Sequence, residues 1–191
     1  MKKGRIEAFS DGVIAIIITI MVLELRAPHE ASVEALRPLI PDLLSYVLSF
    51  AFVGIYWNNH HHLLQVIERV SGAVLWANLH LLFWLSLIPF VTAWMGETHF
   101  AALPAALYGL VLLGAAVAYF LLTRALLACH GSDSLLASAL GADFKGKVSV
   151  LVYIVAVVVA FWVPLAACAL YVAVAVWWLV PDRRMERALV Q

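Results

Sequence analysis

Charge is what this sequence has least of. Only 13% of its 191 residues are Asp, Glu, Lys or Arg, against 65% hydrophobic, too few to clothe a water-facing surface of ordinary size. Acidic and basic residues number 12 each, so the formal net charge is zero, and no nucleic-acid partner is expected, since that requires a basic face. Cysteine is almost missing. Cys129 and Cys168 have no spacing that suggests a metal or redox pair and read as apolar fillers. No H-E-x-x-H pattern is present, so the zinc-helix arrangement is excluded, and no metal, cofactor or enzymatic centre is expected.

What fills the space is a series of long apolar runs, with a mean hydropathy of +0.99. The composition is that of an all-α integral membrane protein. The first run, Arg5 to Leu25, spans about 30 Å as a helix, the thickness of a bilayer core. Basic residues Lys2, Lys3 and Arg5 precede it as they would in a signal peptide, but Glu7 and Asp11 interrupt it and no A-x-A site follows Leu25; it is expected to be retained. Further runs follow at about 43–67, 72–95 and 102–127, and then 33 apolar residues, Val148 to Val180. That last stretch exceeds one untilted span, and Pro164 divides it into about 148–163 and 165–180. Six spans place Lys2, Lys3, Arg5, Arg69, Arg124, Lys145, Lys147, Arg183, Arg184 and Arg187 on one side, with only Arg26 and Arg37 opposite. This bias predicts that both termini are cytoplasmic. Residues 1–191 form one six-span domain in this reading.

Two features of the first span carry chemistry. At about 100° per residue, Ile16, Ile20 and Leu23 fall in one narrow sector with Thr19 on its flank, while Asp11 points away. A carboxylate inside a membrane helix costs about 3 kcal/mol and is kept where it meets a polar partner. The second span ends in Trp57, Asn58, Asn59, His60, His61 and His62, and the third opens with Asn78 and His80, all at comparable depth in this topology. A polar lock is therefore expected, built from Arg5, Ser10, Asp11, Trp57, Asn58, His60, His61, Asn78 and His80. The same groups read alternatively as a proton relay. Consecutive histidines on a helix diverge by about 100° and make a poor metal site.

Arg5-x-x-x-Phe9-Ser10-Asp11, opening a helix that runs to Leu25, resembles the signature of the prokaryotic members of the endolysosomal potassium channel family, transmembrane protein 175. The Trp57, Asn58, His60, His61 cluster, Asn78 and His80, and the Leu85 to Pro89 run with Thr92 and Trp94 extend the likeness. The resemblance implies a single family repeat forming a homotetramer in the bacterial plasma membrane, its first helices lining a central pore. It also implies a potassium-permeable, weakly selective cation channel without the T-V-G-Y-G filter. The positions five, nine and twelve residues after the motif Asp, here Ile16, Ile20 and Leu23, would form a hydrophobic constriction, and Thr19 would contribute potassium preference. Permeant potassium and other monovalent cations would be the only ligands. Two alternatives stand beside this: a proton-coupled transporter using Asp11 and the histidines, and a haem protein with His61 and His80 as axial ligands.

Overall fold

A computed structural model describes residues 3–67, 69–131 and 143–179, and among them it is helical with no strand. Lys2, Arg183, Arg184 and Arg187, cited above for the charge bias, lie outside the described residues. Helix α1 is Lys3–Leu23, and a 3-10 turn at Glu34–Leu39 leads into α2, Ile40–Gln65. The linker after the first span is thus partly ordered. Pro41 stands in the first turn of α2, where its missing N–H costs nothing and its fixed φ suits a helix start.

The third apolar run contains two helices, α3 (Gly72–Ser86) and α4 (Ile88–Glu97), which together make one apolar rod of 26 residues. The interruption at Leu87 has a local cause. Pro89 has no N–H to give the Leu85 carbonyl, and the chain tightens instead, with the Leu87 N–H on the Trp84 carbonyl at 3.2 Å. Helix α5, Ala102–His130, follows, then α6, Phe144–Ala160, and α7, Pro164–Leu179. The rods over α1, the turn plus α2, α3 plus α4, and α5 are long and apolar enough to cross a membrane. Helices α6 and α7 are shorter, 17 and 16 residues, or about 25 Å each. They form an antiparallel hairpin: Phe144 at the start of α6 stacks edge-on with Trp177 near the end of α7, and Trp178 Nε1 donates to Ser149 Oγ at 2.8 Å.

Lipid offers no hydrophobic force between helices, so close approach and internal hydrogen bonds must hold the bundle. Helix α5 is the hub, packed against α3, α4, α6 and α7, and its small residues make this possible. Ala115 and Ala118 are fully buried, Gly109 lies against the Tyr171 ring and hydroxyl, and Gly114 lies under the Trp84 indole. A side chain at either glycine would enter a ring. Gly114→Val is expected to cost about 1–3 kcal/mol, the range for overpacking, and to cut the yield of monodisperse protein on gel filtration several-fold. Leu110→Val, at an exposed position on the same helix, should leave the yield unchanged.

A hydrogen-bonded cluster beside Gly109 ties further helices to α5. Thr92 Oγ1 lies 2.6 Å from both Ser49 Oγ and the Ile88 carbonyl, and Ser49 Oγ is 3.0 Å from Tyr108 Oη. Three helices, α2, α4 and α5, meet there.

Candidate functional site

Helix α1 packs chiefly against α2, α3 and α4, and only one of its faces is covered. Ile6, Ser10, Ile14, Ile17 and Met21 are buried, a spacing of three and four residues that marks a single stripe. The face turned away carries Phe9, Gly12, Ile16, Thr19, Ile20 and Leu23, all exposed. Ile16 is 59% and Leu23 75% accessible, values that a membrane helix tolerates only against lipid or another chain. Thr19 donates its hydroxyl hydrogen to the Ala15 carbonyl at 2.9 Å, the common fate of a helical threonine. Its oxygen keeps its capacity to accept on this exposed face.

The polar residues expected to gather around Asp11 divide into two clusters rather than one network. The first is buried. Asn78 Nδ2 donates to Ser10 Oγ at 2.9 Å, and Asn78 Oδ1 lies 2.7 Å from His60 Nε2; the acceptor there being an amide oxygen, His60 carries its proton on Nε2. All three side chains are at most 1% exposed. One amide thus clamps α1, α2 and α3 together.

The second cluster lies toward the basic end of the bundle. Trp57 Nε1 donates to Asp11 Oδ1 at 3.0 Å, and the His61 ring stacks on the Trp57 indole, with centroids 5.7 Å apart and planes inclined by 16°. His61 Nδ1 faces Glu7 at 3.5 Å and its Nε2 meets Gln65 Nε2 at 2.8 Å. Lys3 Nζ closes the end of α2 by donating to the Gln65 carbonyl at 2.8 Å. Glu7, Lys3 and Gln65 are partners that the sequence reading missed; the signal available was Glu7 one helical turn before Asp11 on the same side of α1.

Three residues expected in the lock stand outside both clusters. Asn58 is exposed, because one step along α2 from Trp57 turns it about 100° away. His80 is exposed too and accepts from Trp84 Nε1 at 3.0 Å within α3, being two residues and about 200° beyond Asn78. Its Nε2 is thereby engaged, which weighs against an axial-ligand pair with His61. Arg5 is exposed on the uncovered side of α1. Among the described residues, no group of three or more His, Cys, Asp or Glu side chains is placed to hold a metal ion.

The two ends of α1 differ in charge. Lys3 reaches the end of α2, and the Arg69 N–H lies 3.2 Å from His130 Nε2 at the end of α5, so these basic residues share one end. At the other, Arg26 pairs with Glu97 at 3.8 Å, beside Glu24 and Asp42, which line a small polar recess with them.

The family described as endosomal/lysosomal potassium channel TMEM175 matches residues 5–89, the stretch that holds nearly all of α1, all of α2 and α3 and, apart from Lys3, both clusters. A potassium channel of Chryseobacterium sp. (strain P1-3) is 51% identical over 189 residues, covering 99% of this chain and 98% of that one. A potassium channel of Streptomyces collinus is 36% identical over 129 residues, 62% of this chain and 61% of its own length. The crystal structure of a lysosomal potassium-selective channel TMEM175 homolog from Chamaesiphon minutus superposes with a TM-score of 0.78 at 29% identity, covering 93% of this chain and 96% of that one. The likeness runs from end to end in both sequence and structure, and the chain is a member of the TMEM175 family.

Proposed function

We propose that this chain is a potassium-permeable, weakly selective cation channel that assembles as a homotetramer, with four copies of α1 around one axis and both termini in the cytoplasm of a bacterium. The observation that carries the reading is the uncovered apolar face of α1 on a helix whose opposite face is hydrogen-bonded into its own bundle. The relatives named potassium channels support the permeant ion. Neither an enzymatic centre nor a cofactor enters the reading.

Rings of Ile16, Ile20 and Leu23 would occupy about 10 Å of the axis. Such a constriction gates by dewetting: when narrow it excludes water and ions, and when slightly wider it passes partly hydrated cations. Gly12, which carries no side chain, widens the vestibule one turn nearer the N-terminus. Thr19 supplies the polar element. Because its hydroxyl hydrogen is held by Ala15, four oxygens would face the path as acceptors, replacing some water around potassium, which dehydrates more easily than sodium.

Protein reconstituted in liposomes should therefore pass potassium in a current that follows the driving force without coupling to protons. A flux that needs a pH gradient, or that moves protons stoichiometrically, would replace the channel by the transporter that uses Asp11 and the histidines. Thr19→Val removes the oxygens and keeps the size. It should shift the reversal potential in mixed potassium and sodium toward the non-selective value, by about 1 kcal/mol of discrimination or roughly fivefold in permeability ratio.

A further inference from the structure

Helices α2, α5, α6 and α7 line a half-open cavity of about 320 Å³ that α1 does not touch, at the small end of the range of about 300–1,000 Å³ for ligand sites. Its α2 wall includes Phe52, Ile55 and Tyr56, on the side of that helix opposite Trp57 and His61, so it is separate from the face proposed to conduct. Tyr119, Tyr153 and Trp178 complete an almost wholly apolar lining. The indole N–H of Trp178 is taken by Ser149, and the Tyr119 hydroxyl donates to the Asn59 carbonyl at 3.3 Å. Water would find few partners in such a space, whereas hydrocarbon fills it without penalty. Val117 and Phe120 line it as well and are exposed, forming its outer rim.

The mouth is charged. Lys147 is exposed and lines it, together with Asp143. Lys145 Nζ lies 5.7 Å from the centre of the Trp178 ring, and Arg124, exposed, follows Phe120 by one turn on the same face of α5. The Asp143 carboxylate is turned inward as the cap of α6, accepting from the Gly146 N–H at 3.2 Å, and burial pushes its pKa up while Gly146 and Lys147 pull it back. Among the described residues, Lys147 and Arg124 against this one capped carboxylate leave the mouth positive.

We propose that this cavity binds one anionic phospholipid per chain, with part of an acyl chain among the tyrosines and the headgroup at Lys147. The combination of an aromatic hydrocarbon slot with a cationic rim fits that amphiphile and no polar metabolite. The site belongs to the leaflet at the basic end of the bundle, which rests on the orientation proposed above but not on the conduction path.

Full-length protein purified in detergent and incubated with palmitoyl-oleoyl phosphatidylglycerol or the matching phosphatidylcholine tests this by native mass spectrometry. One phosphatidylglycerol per chain should survive activation that strips phosphatidylcholine. Lys147→Glu, a surface change, should lower retention about tenfold, and Val150→Phe, which fills the cavity, should lose the adduct while the oligomer mass stays the same. Equal retention of the two lipids, retention of neither, or wild-type retention by both variants overturns the site. Absence of potassium flux from protein that still holds the lipid would count against the channel reading alone.

Discussion

Ile16→Asn should conduct more and select less than the wild type. Ile16 stands at the middle of the uncovered α1 face, 59% accessible in the isolated chain, where four copies would form an apolar ring. An amide there offers water a hydrogen bond worth about 1 kcal/mol at each of four positions. Lowering a dewetting barrier by even about 1.4 kcal/mol raises the rate tenfold, so the resting leak in liposomes is expected to increase by at least about tenfold. The ratio of potassium to sodium permeability should move toward one, because ions that keep more of their water are not asked to shed it. Buried Ile17, one residue on and about 100° round the helix, faces into the bundle; Ile17→Val shortens a packing contact without reaching the axis and should leave conduction near normal. Wild-type conductance from an intact Ile16→Asn oligomer would remove Ile16 from the gate.

Asn78→Leu is expected to produce the largest loss of stability of any single polar change in the molecule. The side chain is 1% exposed and serves two partners on two other helices, Ser10 on α1 and His60 on α2. Leucine has similar volume but no polar atom, so both partners would be stranded where lipid and protein supply no substitute. Removing one partner of a buried pair costs about 1–3 kcal/mol, and interhelical bonds in membranes contribute up to about 1.7 kcal/mol each. A total near 2–3 kcal/mol follows, read as a shift in the midpoint of unfolding in mixed micelles. Asn78→Asp provides the specific control: held in this buried site as the neutral acid, its carbonyl oxygen still accepts from His60 and its O–H donates to Ser10 as the amide does. Recovery of much of the lost stability by aspartate identifies the hydrogen bonds as the cause. If leucine and asparagine unfold alike, the clamp contributes nothing and α1 is held by packing alone.

The same clamp explains how α1 can present an apolar face away from its own bundle. A helix with aliphatic residues on both sides has no preferred azimuth in lipid, since either face is equally soluble there. Ser10 selects one orientation through Asn78, and Asp11, some 100° farther round, is drawn to Trp57. Glu7 opposite His61 and Lys3 on the Gln65 carbonyl extend the attachment to the first turn.

Much of the fold was legible from residue order. Apolar runs of spanning length, the prolines that start α2 and α7, and the chain's scarcity of charge are one-dimensional properties, and a bilayer acts on them one segment at a time. The common sector of Ile16, Ile20 and Leu23 follows from helical geometry alone. So does the pressure on Asp11 to find a partner.

Which partner it finds was not legible, because that depends on how far each helix is rotated about its own axis when three of them pack. Asn58 and His80 sit at the right depth, yet their azimuths carry them outward, while Gln65 enters a site to which its position in the chain gave no pointer and Glu7 one to which only its spacing from Asp11 pointed. The Ser49–Thr92–Tyr108 cluster and the cavity beside Tyr119 are of the same kind. Each is made of common residues from separate helices, and only their meeting is informative. Residue order determined that this chain lies in a membrane, where its long apolar runs fall, and that its first helix carries both an acid and an aliphatic stripe. Tertiary packing decided which face of that helix is bound and which is left open, because hydrogen bonds across helices depend on rotation and distance, which no single segment contains.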